Sequence, residues 1–162
     1  MELRAATEAD LSFIVEIEHS PEFREHIGKW TVEEHLAALC DPDTCYLIAA
    51  DSSGSQIGYI ILRGLKSEHR SIELKRVVMQ SPGQGHGKEV LRLLLKKVFE
   101  EFGAHRLWLD VFESNHRAQH VYRSVGFQQE GILREAFFRE GRYHSLFLMS
   151  LLDHEYRAIY DR

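Results

Sequence analysis

A chain of 162 residues supports one core and leaves little for a second, so a single domain spanning 1–162 is the expectation. Its 44% apolar and 28% charged residues, with three prolines, exclude a disordered or fibrous chain. A formal charge of -5 without any run of Lys or Arg excludes a phosphate-backbone binder, so no nucleic-acid partner is expected; such a surface suits cationic acceptors, or simply solubility. No apolar stretch approaches the roughly 20 residues of a membrane span, and the first residues lack the basic and apolar parts of a secretory leader. A cytoplasmic protein with no membrane partner is implied. Cys40 and Cys45 are too few for a disulfide framework and too far apart for a CxxC motif, and the ten histidines show no ligand spacing, so reduced thiols and no metal are expected.

In chain order, Glu2 to Ala5 is a short strand, and Thr7 with Asp10 starts a helix whose stripe is Leu11, Ile14, Val15 and Glu18. Ser20-Pro21 interrupts it. Thr31 and Glu34 repeat the capping spacing before the helical face of Val32, Leu36 and Leu39. Thr44 to Ala50 and Gln56 to Arg63 read as a hairpin around Asp51-Ser52-Ser53-Gly54-Ser55. Ser71 to Met79 is a third long strand, with Ile72, Leu74 and Val78 on one face and Glu73, Lys75, Val77 and Met79 on the other. Val90, Leu91, Leu94, Leu95, Val98, Phe99 and Phe102 keep a helical period up to a C-cap at Gly103. His105 to Phe112 is a strand, and Ser114 caps a helix presenting Ala118, Val121, Tyr122 and Val125 until Gly126. Strands at about 127–138 and 143–152 flank the turn 139–142. The sum is an α/β (α+β) layered domain with a mixed, mostly antiparallel sheet of about seven strands and about four helices packed on both faces.

Between the third long strand and the long helix lies Pro82-Gly83-Gln84-Gly85-His86-Gly87-Lys88. Unpaired amides and the helix dipole make such a place an anion site, and glycines let backbone approach phosphate closely. It is neither GxxxxGK[ST], because Pro82 and Glu89 hold the first glycine and hydroxyl positions, nor GxGxxG, because Val90 holds the last position. Read alone, it is equally a glycine-rich turn.

The loop and its flanks resemble the GNAT superfamily of N-acetyltransferases, whose pyrophosphate loop reads [RQ]-x-x-G-x-[GA], as Gly85-His86-Gly87 does. Asn115 to Gly131 is similar to the family's N-xx-A-xx-xY-xx-xGF-xx-EG segment, and Gly141-Arg142-Tyr143 with Met149 to Leu152 resembles the closing hairpin of its Rim-type branch. Pro82 stands where the family usually has arginine, and Ser145 replaces an aspartate common in the Rim-type hairpin. The resemblance implies an N-acetyltransferase that uses acetyl-coenzyme A as co-substrate to acetylate a primary amine, on a small molecule or a peptide N-terminus, and leaves a homodimer open. It implies that Gln84, Gly85, His86, Gly87 and Lys88 hold the pyrophosphate, that bulge-splayed amides at Val77 and Val78 bind the pantetheine arm and polarise the carbonyl, and that Asn115 bonds that arm.

An amine near pKa ~10 must lose a proton before it attacks, and a departing thiolate benefits from a donor. By the same resemblance Glu73 is the base and Tyr122 the acid. A solvated strand glutamate and a core tyrosine are the structural alternatives at these positions, and a non-catalytic acyl-coenzyme A sensor or interaction module is the alternative function. His19, His26, His144, Trp30, Phe23 and Tyr143 are candidate pocket residues without an assigned role.

Overall fold

The computed structural model describes residues 1–23 and 29–161. Seven strands, β1 (Glu2–Ala5), β2 (Thr44–Ala50), β3 (Gln56–Arg63), β4 (Ser71–Met79), β5 (Arg106–Phe112), β6 (Gln128–Arg139) and β7 (Arg142–Leu152), form one sheet in the order β1-β2-β3-β4-β5-β7-β6. Every neighbouring pair is antiparallel except β4 and β5. Turn chemistry sets the hairpins. The Asp51 carboxylate accepts from the Ser53 and Ser55 amides at 2.8 and 3.0 Å, closing the β2–β3 loop. Glu140 and Gly141 both have positive φ, as a two-residue turn between Arg139 and Arg142 requires.

Among the described residues five α-helices cover the sheet: α1 (Leu11–Glu18), α2 (Val32–Cys40), α3 (His86–Lys96), α4 (His116–Ser124) and α5 (Asp153–Tyr160). On one face, Leu11, Ile14 and Ile17 of α1 pack on Tyr46, Ile48, Tyr59, Ile61 and Val78. On the other, Val90, Leu91, Leu94 and Leu95 of α3 and Tyr156 of α5 close over Leu47, Ile60, Leu62, Leu107 and Leu109. The Thr31–Glu34 capping box opens α2, with the Glu34 amide donating to Thr31 Oγ1 at 3.1 Å. The helical stripe through Phe102 ends in a single π turn, Lys97–Glu101.

Three local readings need correction. The side chain that caps α4 is Asn115, whose Oδ1 accepts from the Ala118 amide at 3.2 Å, and not Ser114. Ile17 is the buried fourth member of the α1 stripe together with Glu18, while Val15 is only partly covered. α5 is a fifth helix beyond the four the periodicity showed. It packs beside Gly126, whose φ of +114 accounts for glycine at that position.

Two departures from regularity position everything that follows. β4 and β5 pair only through Ser71–Glu73 against Arg106–Trp108 and then part. In β4, Arg76 stands opposite Ile61 and Leu74 opposite Leu62, so Lys75 is an extra, unpaired residue. The bulge reverses the alternation of faces: Ile72, Leu74 and Val77 belong to the α3 side, whereas Arg76 and Val78 belong to the α1 side. Glu73 is therefore not on the face of Val77, as a strict period of two implied, but on the opposite one.

The start of the chain is tied down by one carboxylate. Asp10 accepts from both Arg4 guanidinium nitrogens at 2.8 and 2.9 Å, from the Thr7 amide at 2.8 Å and from Gln56 Nε2 at 2.6 Å. The Arg4 hydrogen bonds, aided by Thr7 and opposed by burial, lower its pKa to about 2. A depressed folded-state pKa stabilises above the unfolded value and is lost as pH falls through the folded one. Asp10→Asn is thus expected to lower stability by about 2 kcal/mol at pH 7. In urea unfolding the difference should shrink below about pH 4 and vanish only below about pH 2.

Candidate active site

The parting of β4 from β5 opens a cavity of about 750 Å³, walled by the ends of both strands, the glycine loop, α4 and the β6–β7 hairpin. Its floor is set by the hydrogen-bond phase of β4. The Gln80 amide donates to the Ile57 carbonyl at 2.7 Å, which makes Met79 against Gly58 and Val77 against Ile60 the non-hydrogen-bonded pairs of the antiparallel ladder. The N–H and C=O groups of Val77 and Met79 consequently face the gap, while those of Val78 are committed to Tyr59. Of the two expected amides, Val77 is placed to bind a ligand, and Met79 replaces Val78 as its companion.

At one end, Gly85 is the N-cap of α3 with φ +80, a conformation that a side chain would strain. The first-turn amides of α3 therefore open onto the cavity, where Gly85, Gly87 and Lys88 form part of the wall. Arg117 stands beside the loop, 2.9 Å from where a Gly83 Cβ would be. This cationic amide cradle fits a pyrophosphate, and Arg117 supplies a guanidinium that Pro82 cannot. Gln84 and His86 are not among the lining residues.

α4 is pinned to the end of β5 by buried Gln119, whose Nε2 donates to the Phe112 and Glu113 carbonyls at 3.0 and 2.9 Å. That anchor brings Asn115 and Tyr122 to the wall. The Tyr122 ring lies edge-on to Phe127 at 5.8 Å, and its hydroxyl makes no hydrogen bond to any described residue. Burial, and secondarily the Asp110 charge, push its pKa well above the usual phenol value, so it stays protonated. Asp110 lies across the gap on β5, lining the cavity from the opposite side of the sheet. Glu73 does not line it; its carboxyl is raised by desolvation, with Lys75 and Arg63 opposing.

Toward the α1 side, Glu18 is fully buried and accepts from Tyr59 at 2.6 Å and from Arg76, and it pairs with His35 Nε2 at 2.8 Å. His35 Nδ1 meets the Tyr46 hydroxyl at 2.8 Å. Burial alone would raise the Glu18 carboxyl, but these hydrogen bonds and the Arg76 charge outweigh it and hold it below its ordinary value. Burial pushes the Tyr46 phenol up to about 12. Trp30 covers the cluster, with the Arg76 and Arg63 guanidinium carbons 4.8 and 4.9 Å from its ring.

Of the unassigned candidates, Trp30 and Phe23 line the cavity. His19 is exposed and bonded to the Val15 carbonyl, Tyr143 is exposed against Phe138, and His144 packs edge-on to Phe112 at 5.6 Å. His26 lies outside the described residues. Asp110, Arg117 and the Glu18–Arg76 pair escaped the sequence reading. An aspartate inside a strand, where the residue is depleted, was the one signal available for Asp110. Among the described residues no group of three or more His, Cys, Asp or Glu side chains could hold a metal ion, and no helix is long and apolar enough to cross a membrane.

A parted parallel strand pair with free amides, a helix N-terminus for a pyrophosphate and a protonated phenol between them define an acyl-coenzyme A-dependent transferase. Residues 1–128 match the acetyltransferase (GNAT) domain, and the chain belongs to that family. It is similar to the spermidine N(1)-acetyltransferase of Vibrio cholerae, 27% identical over 95% of this chain and 94% of the relative. An uncharacterised N-acetyltransferase of Mycobacterium bovis is 32% identical over 74% of this chain and 77% of its own. The Vibrio cholerae spermidine N-acetyltransferase in complex with CoA and spermine superposes with a TM-score of 0.85 at 26% identity, covering 96% of each chain. The protein is an acetyl-coenzyme A-dependent N-acetyltransferase that acts on an amine. The chain-long likeness to spermidine enzymes replaces the Rim-type branch that the closing hairpin suggested.

A Cβ at Gly87 would meet nothing closer than Met79 Cγ at 3.9 Å, an ordinary contact, so Gly87→Glu should fold normally while putting a carboxylate into the phosphate cradle. Calorimetric titration with acetyl-coenzyme A should show affinity weakened by at least about 100-fold, an effect of several charge-assisted hydrogen bonds.

Proposed function

We propose that the acceptor is a small-molecule primary amine, acetylated by direct attack with Tyr122 as acid and Asp110 as base. The observation that carries the reading is the Tyr122 hydroxyl, which borders the gap without a described partner, opposite a carboxylate on the other side of the sheet. Acetyl-coenzyme A supplies the acetyl group as a thioester. The loop amides with Lys88 and Arg117 hold its pyrophosphate, and Asn115, whose Oδ1 caps α4, has its amide nitrogen left for the pantetheine arm. The Val77 and Met79 amides sit where a thioester carbonyl would be polarised. Asp110 takes the proton of the incoming amine, and Tyr122 donates to the developing thiolate. Glu73, behind the lining residues, has a carboxyl raised mainly by burial and, in smaller part, by the Asp110 charge, and contributes field rather than contact.

The relatives named for spermidine support a small acceptor over a protein N-terminus. The same reading takes 1–162 as one acetyltransferase domain that works on a soluble substrate in the cytoplasm.

Tyr122→Phe should lower kcat by about 10²–10³-fold with acetyl-coenzyme A affinity unchanged. Full activity in this variant would rule out Tyr122 as the acid. Asp110→Asn should lower kcat by about 10²–10⁴-fold, whereas Glu73→Gln should cost less than about 10-fold. The reverse ranking would return the role of base to Glu73.

A further inference from the structure

Resting on the N-acetyltransferase reading, we infer that the acceptor amine carries a carboxylate and that Arg76 binds it. The Arg76 side chain is 7% exposed and borders the cavity. A guanidinium has five N–H donors; Nη1 donates to Glu18 and the Tyr59 hydroxyl is a second hydrogen-bonding neighbour, which leaves donors over with no partner among the described residues. Donors left over on a largely buried cation favour an acceptor that arrives from the cavity and takes the place of water there.

The guanidinium is also held ready. Glu18 fixes one edge and the Trp30 ring covers a face, so the remaining edge has the fork geometry that takes a carboxylate bidentately. Glu18 offers no competing site for a cationic substrate, because Tyr59, His35 and Arg76 already occupy it in full burial. Lys29, Lys75 and Arg139 add positive charge to the same lining, against Glu22 and Asp110. A polyamine meets an unfavourable field here. An amine with a nearby carboxylate places its negative end on Arg76 and its amino group toward Asp110, both on the α1 side of the sheet. Arg76 adjoins Val77, whose amide faces the thioester gap, so only a short spacing between amine and carboxylate fits, as in an amino acid.

The test compares amines with their decarboxylated twins, following release of the coenzyme A thiol: phenylalanine against phenethylamine, ornithine against putrescine, with spermidine as the polycation. The carboxylated member of each pair should have kcat/KM higher by about 10–100-fold, the effect of a charge-assisted bidentate pair. In Arg76→Gln/Glu18→Gln, which removes the buried pair together and avoids stranding one charge, this ratio should collapse toward one. Arg76→Lys, which keeps the charge but loses the fork, should shrink it as well and serves if the double variant does not fold. Preference for spermidine or putrescine, or a ratio that survives both variants, would overturn the assignment of Arg76. Binding of acetyl-coenzyme A with no amine acetylated would instead overturn the transferase reading, and the proposal with it.

Discussion

The whole site depends on where β4 stops pairing with β5. Parallel neighbours normally run their ladders to the strand ends, because an unpaired buried amide is costly. Here the ladder holds for three residue pairs and then opens. Strand β4 keeps its other edge on β3, so it does not collapse into the gap, and β5 is held likewise by β7 along its full length. What remains is a rigid slot with backbone donors along one lip. α3 leaves β4 through the glycine loop and α4 leaves β5 through Asn115, so the two helix N-termini meet at the slot's mouth. Geometry that would be a defect elsewhere in the sheet here opens the cavity.

The bulge at Lys75 distributes the chemistry between the two sides. Because it shifts the alternation by one, it sends Val77 toward the α3 core and Arg76 into the α1 side. Phosphate-binding amides and Tyr122 thus approach from the α3 and α4 side, while Asp110, Arg76 and the buried carboxylate of Glu18 approach from the other. The separation puts the proposed acid and the proposed base on opposite sides of the slot. It also explains why Glu18, at the end of an otherwise apolar stripe, is tolerated: three donors from α2, β3 and β4 converge on it.

Most of the strands and two of their hairpins were legible because local chemistry writes them: Asp51 and its serines close one hairpin, Glu140-Gly141 another, and the glycines after β4 mark the strand-to-helix turn. The loop and the Asn115–Gly131 segment pointed to the cofactor for the same reason, since phosphate binding uses backbone and a few fixed neighbours. What stayed hidden depends on residues brought together from afar. A period-two template cannot show one extra residue, so the bulge misplaced Glu73; the exchange of Val78 for Met79 follows instead from the hydrogen-bond phase of the β3–β4 ladder, which only the register reveals. Glu18, His35, Tyr46, Tyr59 and Arg76 come from five different elements and share no local signature. α5 begins directly after β7, where the apolar alternation runs on into Asp153 without a break residue to announce it.

The narrow seam also shapes how the molecule holds together in time. Strands β1 to β4 form successive antiparallel neighbours, and β5 to β7 form another such group, so each half closes contacts of its own. Three pairs across the seam, with the α3 and α5 packing beneath, join them. Each half therefore has the makings of a separate cooperative unit of opening. On the proposed binding mode, a pantetheine arm against the free edge of β4 would take the place of the strand contacts that β5 relinquishes. The co-substrate would then be a removable strut across the narrow seam, joining the two halves while it is bound.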